Sequence, residues 1–182
     1  MLDRIIRIIK LDFPVFKDIE SDPKATQEAA LIVAAASLLS GIGAAVSSEK
    51  HFMAFLSTVL SGILGWIVWS YVSHFIGGVL YKSQGSFENM LRVLGYAQAP
   101  QLLGVLGIIP CVGWIGSVAG AILSLIAAVM AIREGLDLDS GQAIIVAVVG
   151  FLALLLVSIV VGTIFGVGAA ITGAIAGAIS GK

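Results

Sequence analysis

Hydrophobic positions in this chain gather into long blocks separated by short polar seams, with no period-two alternation. Blocks of that length predict bilayer-crossing helices, because a hydrocarbon core of about 30 Å takes roughly 20 residues rising about 1.5 Å each. Open strands are excluded, since they would leave backbone groups unpaired in lipid. The pattern predicts an all-α integral membrane bundle of five transmembrane helices, over 23–46, 52–81, 87–109, 113–132 and 141–167.

The first 22 residues follow another rule. Leu2, Ile5, Ile6, Ile9, Phe13 and Phe16 recur at helical spacing, with Asp3, Arg4, Arg7 and Lys10 on the other side. That predicts an amphipathic arm over 1–22, broken near Pro14, lying in the cytoplasmic interface or packed on the ends of the spans. Asp22 is the expected N-cap of the first span, with Pro23 at the first helical position. "PCVG" is too short for anything but a tight turn, so the third and fourth spans are expected to form an antiparallel hairpin. Asp139 or Ser140 is expected to cap the fifth. The membrane domain covers 23–168, and the small-residue tail 169–182 either extends the last helix or lies at the surface.

Composition and charge sharpen this picture. Hydrophobic residues make up 59% of the 182 and charged residues 12%, whereas soluble domains carry about 25% charge. With mean hydropathy +1.09, lipid is the solvent such a chain requires. Net charge is −1 and the basic residues form no dense run, so nucleic acid is excluded as a partner. With the N-terminus inside, cytoplasmic segments hold Arg4, Arg7, Lys10, Lys17, Lys24, Lys82, Arg92 and Arg133, against Lys50 and Lys182 outside. That bias predicts a multi-pass protein of the cell membrane, N-terminus cytoplasmic and C-terminus outside. Acids and bases precede the first long apolar block, so no cleavable signal peptide is expected. The single cysteine, Cys111, sits in "IIPCVGW" and reads as a buried, unreactive thiol.

Packing in lipid depends on close backbone approach. Gly116 with Gly120 and Gly162 with Gly166 are GxxxG pairs, and Gly95 with Ala99 is a small-xxx-small pair. They serve packing within the chain, or association with a second copy or another membrane protein.

The stretch "RVLGYAQAP" is the polar anomaly. Glu88 and Arg92 stand four apart on one helix face and can pair. Tyr96, Gln98 and Gln101 carry donors that need partners in a dry setting. Pro100 frees a carbonyl one turn earlier, so a kink or break is expected there. His74, in the second span, is an intramembrane ionisable group. It is read as a neutral imidazole bonded to a facing Tyr or Gln, or as part of a polar cavity with the third span. Together His74, Glu88, Arg92, Tyr96, Gln98, Pro100 and Gln101 form the candidate polar intramembrane site. No metal site is expected, because His51 falls in the outer loop. The acidic loop with Glu134, Asp137 and Asp139 lacks a full calcium pattern. No cofactor or catalytic set is found, so an enzyme is not expected.

"RVLGYAQAP" resembles the Gly-Tyr-x-x-x-Pro element in the third span of the Yip domain family, the Ypt/Rab-interacting multispan proteins. "LDFPVFKDIESDP" resembles the lead-in to the first span of prokaryotic members. "IPCVGWIGSVAGAILSLIAAVMAIREGLDLDSGQAI" resembles their fourth span and entry to the fifth. The resemblance covers roughly residues 10–165 and implies five spans with a cytosolic N-terminus. In eukaryotic members it implies binding to prenylated small GTPases. This chain lacks their long cytosolic N-terminal region, so small GTPase binding is not carried over, and the chain looks like a short prokaryotic-type member. Its expected role is non-enzymatic, through membrane organisation or lateral association. The alternative is a small transporter or channel component with a polar cavity between spans two and three.

Overall fold

The computed structural model describes residues 1–108 and 113–165, with side chains described outside 104–115 and 117. Among the described residues the protein is all helix. The arm comprises α1 (Leu2–Ile9) and α2 (Val15–Ser21). The bundle comprises α3 (Ala25–Val46), α4 (His51–Tyr81), α5 (Phe87–Tyr96), a 3-10 segment (Ala99–Ile108), α6 (Gly113–Gly135) and α7 (Ser140–Ile164). The "PCVG" turn with Cys111, Gly166 and the tail 169–182 lie outside the described residues.

Four helices, α3, α4, α7 and the 118–135 part of α6, are long and apolar enough to cross a membrane. Their outward faces carry large apolar side chains, among them Leu31, Leu38, Phe75, Leu152 and Leu156. So much exposed apolar surface is tolerable only where lipid covers it. Their inward faces are built from small residues such as Ala29, Ala36, Ala128 and Ala147, which let backbones approach closely.

The expected third span departs from the pattern. It is not one helix over 87–109: α5 ends at Tyr96 and a 3-10 segment follows. Pro100 is the physical reason, because it donates no N–H to the preceding turn and its ring clashes there. Gly120 of α6 lets the helix close on this break. A Cβ built on it would stand 2.7 Å from the Pro100 carbonyl oxygen.

Local capping follows the sequence closely. Asp139 caps α7 in a reciprocal capping box with Gln142, and Ser86 caps α5 by accepting from the Asn89 N–H. The start of α3 is a correction: the helix begins at Ala25 rather than Pro23. The Asp22 carboxylate accepts from the Lys24 N–H at 3.0 Å, and a tight turn at Pro23 and Lys24 leads into the helix.

The arm breaks where Pro14 starts α2 and docks on the bundle. Ile8, Val15, Phe16 and Ile19 are fully buried there. Leu2, Ile6 and Leu11 of the same arm remain exposed. The C-terminal end of α6 returns beside the end of α4 and the start of α5. Side-chain carbons of Leu136 crowd both Gly77 and Gly85, and the Ser83 hydroxyl donates to the Leu136 carbonyl at 2.7 Å.

Candidate functional site

Two polar regions stand out, one under the arm and one inside the bundle. Under the arm, Arg4 reaches from α1 to the start of α3. Its guanidinium donates to Asp22 at 2.8 Å and to Glu28 at 3.2 Å. The Glu28 carboxylate also accepts the hydroxyl of Tyr96, which is fully buried at the end of α5. One carboxylate on α3 thereby ties the arm to the broken third segment. Burial is the largest single influence on Arg4 and works against its charge, but the hydrogen bonds and charge attraction of Asp22 and Tyr96 together outweigh it and hold the guanidinium above its ordinary pKa. Asp22 is held below the usual carboxylate range, first by its hydrogen bond from Arg4 and then by the Lys24 N–H.

A lowered folded-state pKa stabilises the docked arm at pH values above the ordinary Asp value of about 3.9, and that stabilisation is lost as pH falls through the folded value. A spin label on α1 is therefore expected to keep constant mobility from pH 7 to about 5 and to loosen below about 4. Asp22→Asn should be more mobile than the unaltered protein already at pH 7, with Arg4 still held by Glu28, and should lose that part of the acid response. Identical titrations of the two proteins would count against the Arg4–Asp22 clamp.

Beside this cluster lies Arg92, nine-tenths buried on α5. It donates to the Thr26 hydroxyl at 2.8 Å, the Glu20 carbonyl at 2.8 Å and Glu88 at 3.0 Å. These bonds join α2, α3 and α5 around one cation. A buried guanidinium is tolerated only when its donors are satisfied in this way.

The second region is a cavity of about 690 Å³ among α3, α4, α6, α7 and the broken segment. Ser37, Thr58, Ser61, Ser124, Gln98 and Gln101 are among its lining residues. It is open to the surface, since Ser40, Gly43, Gln101 and Leu125 of its lining are exposed.

The Yip1 domain family matches this sequence over residues 12–162. The chain belongs to the Yip1 domain family. An uncharacterized protein of the archaeon Methanocaldococcus jannaschii is 28% identical over 111 residues, covering 52% of this chain and 78% of that protein. No solved structure matches. This is a membrane protein of the prokaryotic type, as its sequence resemblance implies.

Within this Yip1 domain the sequence-predicted site residues do not form one site. Glu88 and Arg92 pair as expected. Tyr96 joins Glu28 under the arm, while Gln98 and Gln101 line the cavity. Pro100 is buried at the break, against Gly120. His74 is the correction. Its Nδ1 lies 2.9 Å from the Gly85 carbonyl oxygen in the α4–α5 loop, so it meets neither a Tyr nor a Gln and does not line the cavity. The close backbone crossing that brings Gly85 against Gly135 puts that carbonyl within its reach.

The packing glycines sort similarly. A Cβ on Gly95 would stand 2.6 Å from that of Ala29, and Gly116, Gly120 and Gly162 are buried. Asp137 is an ion-pair partner of Lys17 at 2.5 Å, which fastens the α6–α7 loop to α2. Among the described residues no group of acidic, His or Cys side chains is placed to hold a metal.

Sequence reasoning missed Glu28 as the partner of Tyr96 and Asp22 and Glu28 as the partners of Arg4, and it missed the hydroxyl lining of the cavity. The available signal was an acid, Glu28, four residues into an apolar span. Serines within apolar helices commonly bond a carbonyl of their own helix. That holds for Ser70 and Ser158, which donate to carbonyls four residues earlier, but not for Ser124.

Proposed function

We propose that this Yip1 domain is a non-enzymatic membrane-organising protein whose arm acts as a wedge in the cytoplasmic leaflet. One observation carries the reading. The arm is clamped to the bundle by Arg4 and buries Ile8, Phe16 and Ile19, yet leaves Leu2, Ile6 and Leu11 exposed. A helix held at the end of a membrane bundle with apolar side chains facing outwards inserts them among acyl chains.

The orientation belongs to the same proposal. We place the N-terminus in the cytoplasm and the C-terminus outside, in the cell membrane, with five crossings. The broken third segment is long enough for its crossing: α5 rises roughly 15 Å, and ten 3-10 residues add roughly 20 Å. Lateral association with a second copy or another membrane protein belongs to the same proposal, carried by outward apolar faces such as that of Leu152 and Leu156, because the small-residue faces are already buried within the chain. The transporter reading keeps Gln98 and Gln101 on a cavity but loses His74, so it ranks second.

The test uses the full chain in liposomes of mixed diameter. The protein is expected to enrich severalfold in the smallest vesicles, and Leu2→Ser with Ile6→Ser should abolish the enrichment without changing helix content. Equal partitioning of both proteins across vesicle sizes would remove the wedge. Strictly monomeric behaviour in native lipid would remove the association.

A further inference from the structure

The cavity inside the bundle has a chemistry of its own, independent of the arm. Hydroxyls come from Ser37, Ser40, Thr58, Ser61, Ser124 and Ser158. Gln98 and Gln101 add amides. Trp69, Phe151 and Leu154 supply apolar surface. Among the described residues that line it there is no Asp, Glu, Lys, Arg or His. An ionic ligand would enter without a counter-charge, at the cost of desolvating an isolated ion.

Two lining groups lack partners. The Ser124 hydroxyl and the Trp69 indole N–H are buried and make no hydrogen bond. Ser124 is only 7% exposed. Buried donors of this kind are normally satisfied, and each one left open is destabilising. The indole N–H only donates and the Ser124 hydroxyl can donate or accept, so a group presenting acceptor oxygens suits both. The Ser158 hydroxyl already donates to Leu154 at 3.0 Å, which leaves its oxygen free to accept. A group that also donates would use that oxygen. Uncharged oxygens that both donate and accept belong to hydroxyl groups or water.

Size and lining add the rest. About 690 Å³ lies within the usual range of roughly 300–1,000 Å³ for small-ligand sites, far beyond one or two waters. Trp69 packs edge-to-face on Phe151 with centroids 6.3 Å apart, forming an aromatic wall. A ligand that fills this space must pair its hydroxyls with a substantial apolar body. We infer that the cavity binds an uncharged, hydroxyl-bearing amphiphile of the monoacylglycerol class, taken from the surrounding bilayer.

The test uses the full chain in nanodiscs of zwitterionic phospholipid with a monoacylglycerol carrying a diazirine in its acyl chain. After illumination, label is expected on Trp69, Phe151 or Leu154 and should fall at least tenfold with excess monooleoylglycerol. Glycerol and oleate at the same concentration should leave it unchanged. Ala121→Phe, which adds bulk at a lining position, and Ser124→Ala, which nearly keeps the volume but removes the donor, should each lower labelling severalfold. Label spread evenly over outward positions such as Leu152 and Leu156, or indifferent to monooleoylglycerol, would overturn the site. Equal competition by glycerol would overturn the bilayer source, and equal competition by oleate the requirement for an uncharged ligand. The competition arms use the unaltered protein, so a poorly folding variant leaves the test intact.

Discussion

Replacing Glu28 by alanine is expected to loosen the arm on the bundle. Glu28 is the only carboxylate among the described contacts that both Arg4 and Tyr96 use. Without it the Tyr96 hydroxyl, on a fully buried side chain, loses its acceptor, at a cost of about 1–3 kcal/mol. Arg4 keeps Asp22, so the arm is weakened rather than abolished. Loss of the charged Arg4–Glu28 hydrogen bond, about 2 kcal/mol, corresponds to a roughly 30-fold rise in the undocked population. Hydrogen exchange across 2–21 in nanodiscs should accelerate by about that factor, with α7 unchanged. Tyr96→Phe should produce a smaller acceleration, and combining it with Glu28→Ala should add little, because the two act through one bond. Full additivity would show that Tyr96 and Glu28 do not share that bond.

Replacing Gly120 by leucine is expected to cost more. The Cβ would approach the Pro100 carbonyl to 2.7 Å and the Gln101 Cα to 3.6 Å. Both are backbone, at a break that Pro100 already constrains, so no side chain can swing away. Overpacking of this kind costs about 3 kcal/mol, and the melting temperature in detergent should drop by roughly 6–12 °C on the scale of a domain this size. Gly78 is the control, since a Cβ there meets nothing within 4 Å. Gly78→Leu should leave the melting temperature nearly unchanged. Equal stability of the two variants would mean that α6 does not close on the Pro100 break.

Much of the architecture was legible because lipid leaves the backbone few choices. The apolar blocks marked α3, α4, α6 and α7 to within a few residues, since length and unpaired backbone groups decide spans. Pro100 announced the break in the third segment, Pro14 the break in the arm, and Asp139 the start of α7, because each acts on its own turn. The Glu88–Arg92 pair was legible for the same reason, being four residues apart on one helix.

His74 shows where that reading stops. Its ring is on the expected span, but its partner is the Gly85 carbonyl, set by how a loop folds back. Tyr96 and Glu28 are 68 positions apart, and Arg92 and Glu20 are 72 apart. No periodicity spans such distances.

From the sequence alone came the class, the solvent, the family resemblance and the local breaks, because each follows from runs of residues within a few turns. The tertiary structure alone decided which faces meet: the Arg4–Asp22–Glu28–Tyr96 tie and the hydroxyl-lined cavity. The physical reason is that α3, α4 and α7 are apolar nearly all round. A helix without a polar side carries no signal for its own rotation, so its facing residues emerge only once the helices pack.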